Sequence, residues 1–238
     1  MRLVLGSGGH GVTGAKKHLI GAIVQVFKGT PSGLFIPYAG KEEDFVTATR
    51  EWVELWYNGH VPIDPINESD DPAEACRQAR GFFVDGGNTF RLQKKLLALG
   101  LLDIIRHKVL HGAPYMGVSA GTNIACPTIQ TTNDMPIVCP ESMKALGLVP
   151  FQINTHYVDP HDKSVHRGET RDERIAEYLQ ENAGPVLALR EGALIVVIRQ
   201  RVYLRGVNGG KLFLKGETPK ELTPRSKEIT ALLPSIDH

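Results

Sequence analysis

Short apolar runs alternate with longer stretches in which apolar residues recur with helical spacing, and this rhythm fills most of the chain. Leu3 to Leu5, Leu34 to Pro37, Val61 to Ile66, Gly81 to Val84, Pro114 to Val118, Phe151 to Ile153 and Val186 to Leu189 predict strands. Between them, Lys16 to Phe27, Glu42 to Asn58, Pro72 to Arg80, Asn88 to Leu99, Leu101 to His111 and Thr170 to Glu181 predict helices. Within Glu42 to Asn58, the side chains Phe45, Trp52, Leu55 and Trp56 fall near one helical face. Asn88 reads as an N-cap and Gly100 as a C-cap around the helix between them. Strands alternating with helices of this length predict an α/β fold: a doubly wound, mostly parallel sheet covered on both faces.

From about Ala193 the rhythm changes. Ile195 to Ile198, Val202 to Leu204 and Leu212 to Leu214 are brief runs separated by turn residues, among them Gly206 and Asn208-Gly209-Gly210. They predict a C-terminal antiparallel hairpin region on the sheet edge, followed by a polar tail from about residue 216. With no internal repeat and no Pro/Ser-rich linker, residues 1–238 read as a single domain.

Charge and cysteine usage narrow the function classes. Lys plus Arg total 27 and Asp plus Glu 26, so bulk charge gives no basis for nucleic-acid or anionic-membrane binding. Apolar runs such as Ala193 to Ile198 are far below the ~18 residues of a membrane span. Cys76, Cys126 and Cys139 form no C-x-x-C pair, which argues against a disulfide framework and against a zinc ribbon. No charged n-region followed by a small-residue cleavage site opens the chain, so a secretory signal is not expected. The expectation is a cytoplasmic protein, monomer or homodimer, without nucleic-acid or membrane partners.

One motif carries chemistry. Gly117-Val118-Ser119-Ala120-Gly121 fits G-x-S-x-G and follows the strand-like run Pro114-Tyr115-Met116. A serine on a sharp strand-to-helix turn stands above the carboxyl edge of a sheet, and flanking glycines let strand and helix approach. Such a serine needs a base, itself oriented by a third group. Of the histidines, His156 comes directly after the strand Phe151 to Asn154, where open α/β sheets put their working groups. Glu191 occupies the equivalent place after Val186 to Leu189, with Asp134 and Asp159 as lower-ranked acids. The chain order Ser, His, acid differs from the Ser, acid, His order of α/β-hydrolases. Val84-Asp85-Gly86-Gly87-Asn88 leads from a strand into a helix, so Gly87 and Ala120 are the candidate backbone donors to an oxyanion.

These segments, with Ala125-Cys126-Pro127-Thr128-Ile129, Thr131-Thr132-Asn133-Asp134-Met135-Pro136-Ile137-Val138, Gln152-Ile153-Asn154-Thr155-His156-Tyr157 and Gly168-Glu169-Thr170-Arg171, resemble the peptidase E family of α-aspartyl dipeptidases. The resemblance runs in order from about Leu34 to Gly192. It implies a flavodoxin-like fold similar to class I glutamine amidotransferases, with serine in place of their elbow cysteine. It also implies a Ser-His-Glu triad, matched in position by Ser119, His156 and Glu191, no metal or other cofactor, and cleavage of Asp-X dipeptides through an acyl-enzyme. Two segments depart from the family. Leu5-Gly6-Ser7-Gly8-Gly9-His10-Gly11 lacks the Ser-Asn-Ser run usual after the first strand, and Asp85 stands where the family often has Gly. The glycine-rich loop carries no Walker pattern and only part of a G-x-G-x-x-G spacing, so phosphate binding is a weak reading of it.

An aspartyl substrate presents a carboxylate, which planar Arg binds through paired N–H donors. Arg171 is the candidate, with Arg167 and Arg174 as alternatives, and Asn88 is a second candidate substrate contact. The substrate ammonium could meet Glu169 or Asp85. Three competing readings remain: a cyanophycinase-like hydrolase of β-aspartyl links, a metal hydrolase built on His156, His161 and His166, and a non-enzymatic small-molecule binder on the same fold.

Overall fold

The structure is a computed structural model and describes residues 1–9, 11–51, 61–160, 168–224 and 228–236. Its main sheet has seven strands. Five of them run parallel: β1 (Arg2–Gly6), β2 (Gly33–Ile36), β3 (Ile63–Pro65), β4 (Phe82–Val84) and β5 (Tyr115–Val118). β8 (Ala193–Ile198) and β9 (Arg201–Gly206) close one edge as an antiparallel hairpin, giving the order β3-β2-β4-β5-β1-β8-β9.

Strand periodicity sorts the core onto two faces. Val4, Phe35, Phe83 and Met116 pack under α1 (Ala15–Val26), against its buried Leu19, Ile23 and Val26. Their neighbours Leu3, Leu5, Phe82 and Tyr115 point the other way. There they meet Leu92 and Leu96 of α4 (Thr89–Ala98), Ile105 and Val109 of α5 (Leu101–Leu110) and Ile124 of α6 (Ala120–Ala125). Two further helices, α2 (Phe45–Glu51) and α3 (Pro72–Gln78), also belong to the connections between parallel strands.

The structure departs from the sequence expectation in three places. The strands expected at Phe151 to Ile153 and Val186 to Leu189 form, as β6 (Gln152–Asn154) and β7 (Val186–Leu189), but outside the main sheet. The place beside β1 that a further parallel strand would take is filled by β8 along the whole of Arg2–Gly6. β6 and β7 instead pair parallel with each other, joined through α7 (Arg171–Glu181), and extend through β10 (Gly210–Phe213) and β11 (Lys220–Leu222) into a four-stranded sheet. Second, the chain after residue 216 is not merely a polar tail: β11 forms there, and Leu222, Ile229 and Ile236 are buried in the main core. Third, the helix expected over Glu42 to Asn58 starts as a 3-10 turn, Glu42–Asp44, and is helical as α2 to Glu51; Trp52, Leu55 and Trp56 lie outside the described residues.

The helix caps that set the rim of the site follow local chemistry. The Asn88 side-chain oxygen accepts from Arg91 N–H at 3.1 Å and starts α4. Thr170 and Glu173 form a reciprocal capping box at the start of α7. Gly100, at φ 64°, separates α4 from α5 and serves as the N-cap of the second.

Candidate active site

Ser119 stands between β5 and α6 with φ 52° and ψ −111°, a conformation an L-residue adopts only when its surroundings impose it. Those surroundings are a close approach of backbone. A Cβ at Gly117 would sit 2.3 Å from Gly121 O, and one at Gly121 would sit 2.1 Å from Val84 O, so the motif's glycines are steric requirements. Buried hydroxyls fasten the turn. Tyr115 OH donates to Gly121 O at 2.6 Å, and Thr122 Oγ1 bridges Gly6 O and Gly117 O at 2.8 and 2.9 Å.

His156 follows β6, and Glu191 follows β7. Ser119 Oγ lies 2.6 Å from His156 Nε2, and His156 Nδ1 is hydrogen-bonded to Glu191 Oε1. With the proton on Nδ1 directed to the carboxylate, Nε2 is left to accept the serine proton. His156 also has positive φ, 55°, and is one of three described non-glycine residues that do, with Ser119 and Arg199. Its backbone N–H donates to Ser7 Oγ at 2.8 Å, and Ser7 OH in turn donates to Leu189 O at 2.8 Å. Ser7 is fully buried, and through it the end of β1 holds the two segments that carry the base and the acid. The sequence reading missed this residue; its signal was a small polar side chain directly after the strand that pairs with β5.

The lower-ranked acids are engaged elsewhere. Asp134 Oδ2 accepts from Thr89 N–H at 2.7 Å and from Thr89 Oγ1 at 2.5 Å. Asp159 makes a two-pronged contact with Arg190, to Nε at 2.7 Å and Nη2 at 2.8 Å, and a contact with Lys211 Nζ at 3.0 Å. The Arg190 hydrogen bonds hold the Asp159 carboxyl well below the usual carboxylate range. Tyr157, under the Arg190 guanidinium at 5.6 Å, has its hydroxyl pushed up to about 12 by burial and by its bond to Asp172.

A cavity of about 460 Å³ opens over Ser119 and His156, lined also by Asp85, Gly86, Gly87, Asp134 and the Gly8-Gly9 loop. The Gly86 N–H is taken by Asp85 Oδ1 at 2.7 Å. Gly87 and Ala120 N–H groups make no backbone hydrogen bond outside regular elements among the described residues, and Gly87 faces the cavity. The two substrate contacts expected from sequence stand apart from it. Asn88 has both ends of its carboxamide occupied, the oxygen by Arg91 N–H and Nδ2 by Met135 O at 2.8 Å, so its place is to fix the rim. Arg171, the first residue of α7, does not line the cavity; burial and the neighbouring Arg174 lower its pKa, and no described carboxylate pairs with it. Arg174 itself contacts Glu169 at 3.5 Å, and Arg167 lies outside the described residues.

For a metal, both His156 ring nitrogens already have partners, and His161 and His166 lie outside the described residues. Among the described residues no three His, Cys, Asp or Glu side chains cluster as ligands, and no helix is long and apolar enough to cross a membrane.

A serine on a strained elbow of a flavodoxin-like sheet, with an imidazole and a carboxylate in series beside it, is the architecture of a serine hydrolase. Comparison with known proteins makes this specific. Residues 2–205 match the profile of peptidase family S51. Peptidase E of Streptomyces coelicolor is 45% identical over 199 residues, 84% of this chain and 81% of that protein. A probable alpha-aspartyl dipeptidase of Drosophila melanogaster is 43% identical over 230 residues, 94% of this chain and 92% of that one. Among solved structures, a peptidase from an acI-B1 actinobacterium superposes with a TM-score of 0.68 over 93% of each chain, at 16% identity, which speaks for the fold. The chain belongs to peptidase family S51.

Proposed function

We propose that this serine-type dipeptidase cleaves Asp-X dipeptides with Ser119 as nucleophile, His156 as general base and acid, and Glu191 as the group that orients the imidazole. The observation that carries the reading is the 2.6 Å contact between Ser119 Oγ and His156 Nε2, with Nδ1 of the same ring on Glu191. The names of its relatives, peptidase E and alpha-aspartyl dipeptidase, support the aspartyl substrate.

In the acylation step His156 Nε2 takes the Ser119 proton as Oγ bonds to the carbonyl carbon of the aspartyl residue. Negative charge develops on the carbonyl oxygen and is met by the Gly87 and Ala120 N–H groups. Collapse breaks the C–N bond, and the imidazolium gives its proton to the leaving amine. Water, deprotonated by His156, then attacks the aspartyl ester; collapse returns a proton to Ser119 Oγ and frees aspartate. Asp85, on the cavity wall, suits the substrate ammonium. Arg171, half-buried and without a carboxylate partner among the described residues, is the residue we assign to the aspartyl side chain.

Residues 1–238 act as one catalytic domain, a reading supported by the burial of Leu222, Ile229 and Ile236 in the main core. The enzyme works without a cofactor as a monomer or homodimer, and its free cysteines suit the cytoplasm.

The test is a panel of Asp-Leu, Glu-Leu, Asn-Leu and β-Asp-Arg, run beside labelling with a fluorophosphonate. Expected is cleavage of Asp-Leu far above the others and a covalent adduct on Ser119. Turnover of β-Asp-Arg in preference to Asp-Leu would replace the substrate assignment with the cyanophycinase-like one, and an unlabelled Ser119 in active enzyme would overturn the mechanism.

A further inference from the structure

The cavity over Ser119 has two unlike ends. The strand order β4-β5-β1-β8 puts β4 on one side of the serine's strand and the β1–β8 pair on the other. On the β4 side the lining is polar: Asp85, Gly86, Gly87 and, from the loop across it, Asp134. On the β1–β8 side the described lining, apart from the His156 ring itself, is apolar or bare backbone: Gly8, Gly9, Ala15, Leu19, Ala193 and Leu194.

The reaction gives these ends different tasks. The carbonyl oxygen must face the N–H donor of Gly87, on the β4 side. The leaving nitrogen must receive its proton from His156 Nε2, so the leaving residue lies on the side of the imidazole. That side is the β1 side, for a Cβ built on Gly8 would come within 2.9 Å of His156 Cε1 and 2.6 Å of Glu191 Oε2. The same distances explain the glycine-rich loop that the sequence left without a role. At φ 147° and pressed against the imidazole–carboxylate pair, Gly8 can carry no side chain, so bare backbone walls the cavity there. Opposite it stand Ala15 and Leu19 on the first turns of α1, packed on β8.

We propose that the cavity end formed by the Gly8-Gly9 backbone, Ala15, Leu19 and Leu194 is the leaving-residue subsite, and that it selects an uncharged, apolar side chain, making the preferred substrates Asp followed by residues such as Leu, Met or Phe. The inference rests on the dipeptidase reading above and adds to it the second residue of the substrate. An apolar side chain placed there leaves water for a surface of matching character, whereas a charged one would be desolvated beside groups, His156 and Glu191, that are already paired with each other. At about 460 Å³ the whole cavity is of the size that encloses a small ligand.

The experiment is kcat/KM for Asp-Leu, Asp-Phe, Asp-Gly, Asp-Lys and Asp-Glu on the wild-type enzyme and on two variants of the subsite wall. Expected for the wild type is a preference of about 10- to 100-fold for Asp-Leu and Asp-Phe over Asp-Gly, and a larger one over Asp-Lys and Asp-Glu. Leu19→Glu should shift the Asp-Lys to Asp-Leu ratio by tenfold or more toward Asp-Lys. Leu19→Ala, a milder change that the helix accommodates, should lower the Asp-Leu to Asp-Gly ratio several-fold. Because each readout is a ratio within one protein, partial loss of folded enzyme does not mimic it. Asp-X turnover indifferent to X, or favouring charged X, overturns the subsite and leaves the dipeptidase reading standing; absence of all Asp-X cleavage overturns both.

Discussion

The shelf that carries Ser119 and the shelf that carries His156 and Glu191 meet at one rim, yet they are held by different physics. Ser119 is fixed by backbone pressed on backbone: Gly117 against Gly121, and Gly121 against β4, with Tyr115 and Thr122 fastening the same turn from within a few residues. His156 and Glu191 follow strands of the smaller sheet and are fixed by polar side chains, one of which crosses from the main sheet. Ser7 reaches from β1 to both segments, while Arg190, next to Glu191, clasps Asp159 and lies over Tyr157, next to His156. A steric mould tolerates loss of the serine's own oxygen but no added carbon at its glycines. A polar clasp loosens when a single hydroxyl or carboxylate is removed.

The largest expected effect tests the steric shelf. Ser119→Ala removes the nucleophile from a turn whose shape does not depend on it, so kcat/KM for Asp-Leu should fall by roughly 10⁴-fold or more while the melting temperature stays near that of the wild type. A variant of unaltered fold that still turned over at a tenth of the normal rate would put the nucleophile elsewhere. On the polar shelf, Glu191→Gln keeps the size of the side chain but no longer fixes the proton on His156 Nδ1. A loss of roughly 10²- to 10⁴-fold in kcat is expected, by analogy with the loss of the acid in other serine triads. A change under threefold would show that Glu191 does not orient the base.

Ser7→Ala comes next and separates positioning from bulk structure. His156 N–H would lose its partner and Leu189 O would keep only the bond from Tyr157 N–H, which costs about 1–3 kcal/mol of stability. The imidazole would also lose the bond that supports its backbone at positive φ. The expected readout is a fall of about tenfold in kcat with KM little changed, measured at a temperature where the variant is fully folded. Loss of stability with kcat intact would reduce Ser7 to a structural link.

The same contrast explains what could be read from the chain. The elbow was legible because its causes are local: the two glycines and the serine lie within five residues, after a strand that announces itself by composition. The five parallel strands were legible for the same reason, each being a short apolar run between helices. The split into two sheets was not, because it depends on which strand takes the place beside β1, and β8 wins it through antiparallel pairing from a distant part of the sequence. The link through Ser7 spans 149 residues to His156 and 182 to Leu189, and no local pattern marks it. Asn88 shows a residue type pointing two ways: its N-cap role follows from position, and that role occupies the oxygen that a substrate contact would need.

The smallest expected effect lies at the outer edge of the polar shelf. Asp159 is nearly half exposed, 44% for its side chain, so solvent screens its pairing with Arg190 and the contribution is about 0.5–1 kcal/mol, well below what a buried pair would give. Its carboxyl pKa is lowered in the folded protein, first by the Arg190 hydrogen bonds. Stability from this pair is therefore complete above the ordinary carboxylate value of about 3.9 and is lost as the pH falls below that value toward the depressed one. Asp159→Asn should lower the melting temperature by about 1–4 °C at pH 7. That gap should stay constant down to about pH 5 and begin to narrow only below about pH 4, with kcat reduced less than threefold. A gap that closed already between pH 7 and 6 would assign the pH dependence to a histidine, and a tenfold fall in kcat would move Asp159 from the edge of the clasp to its centre.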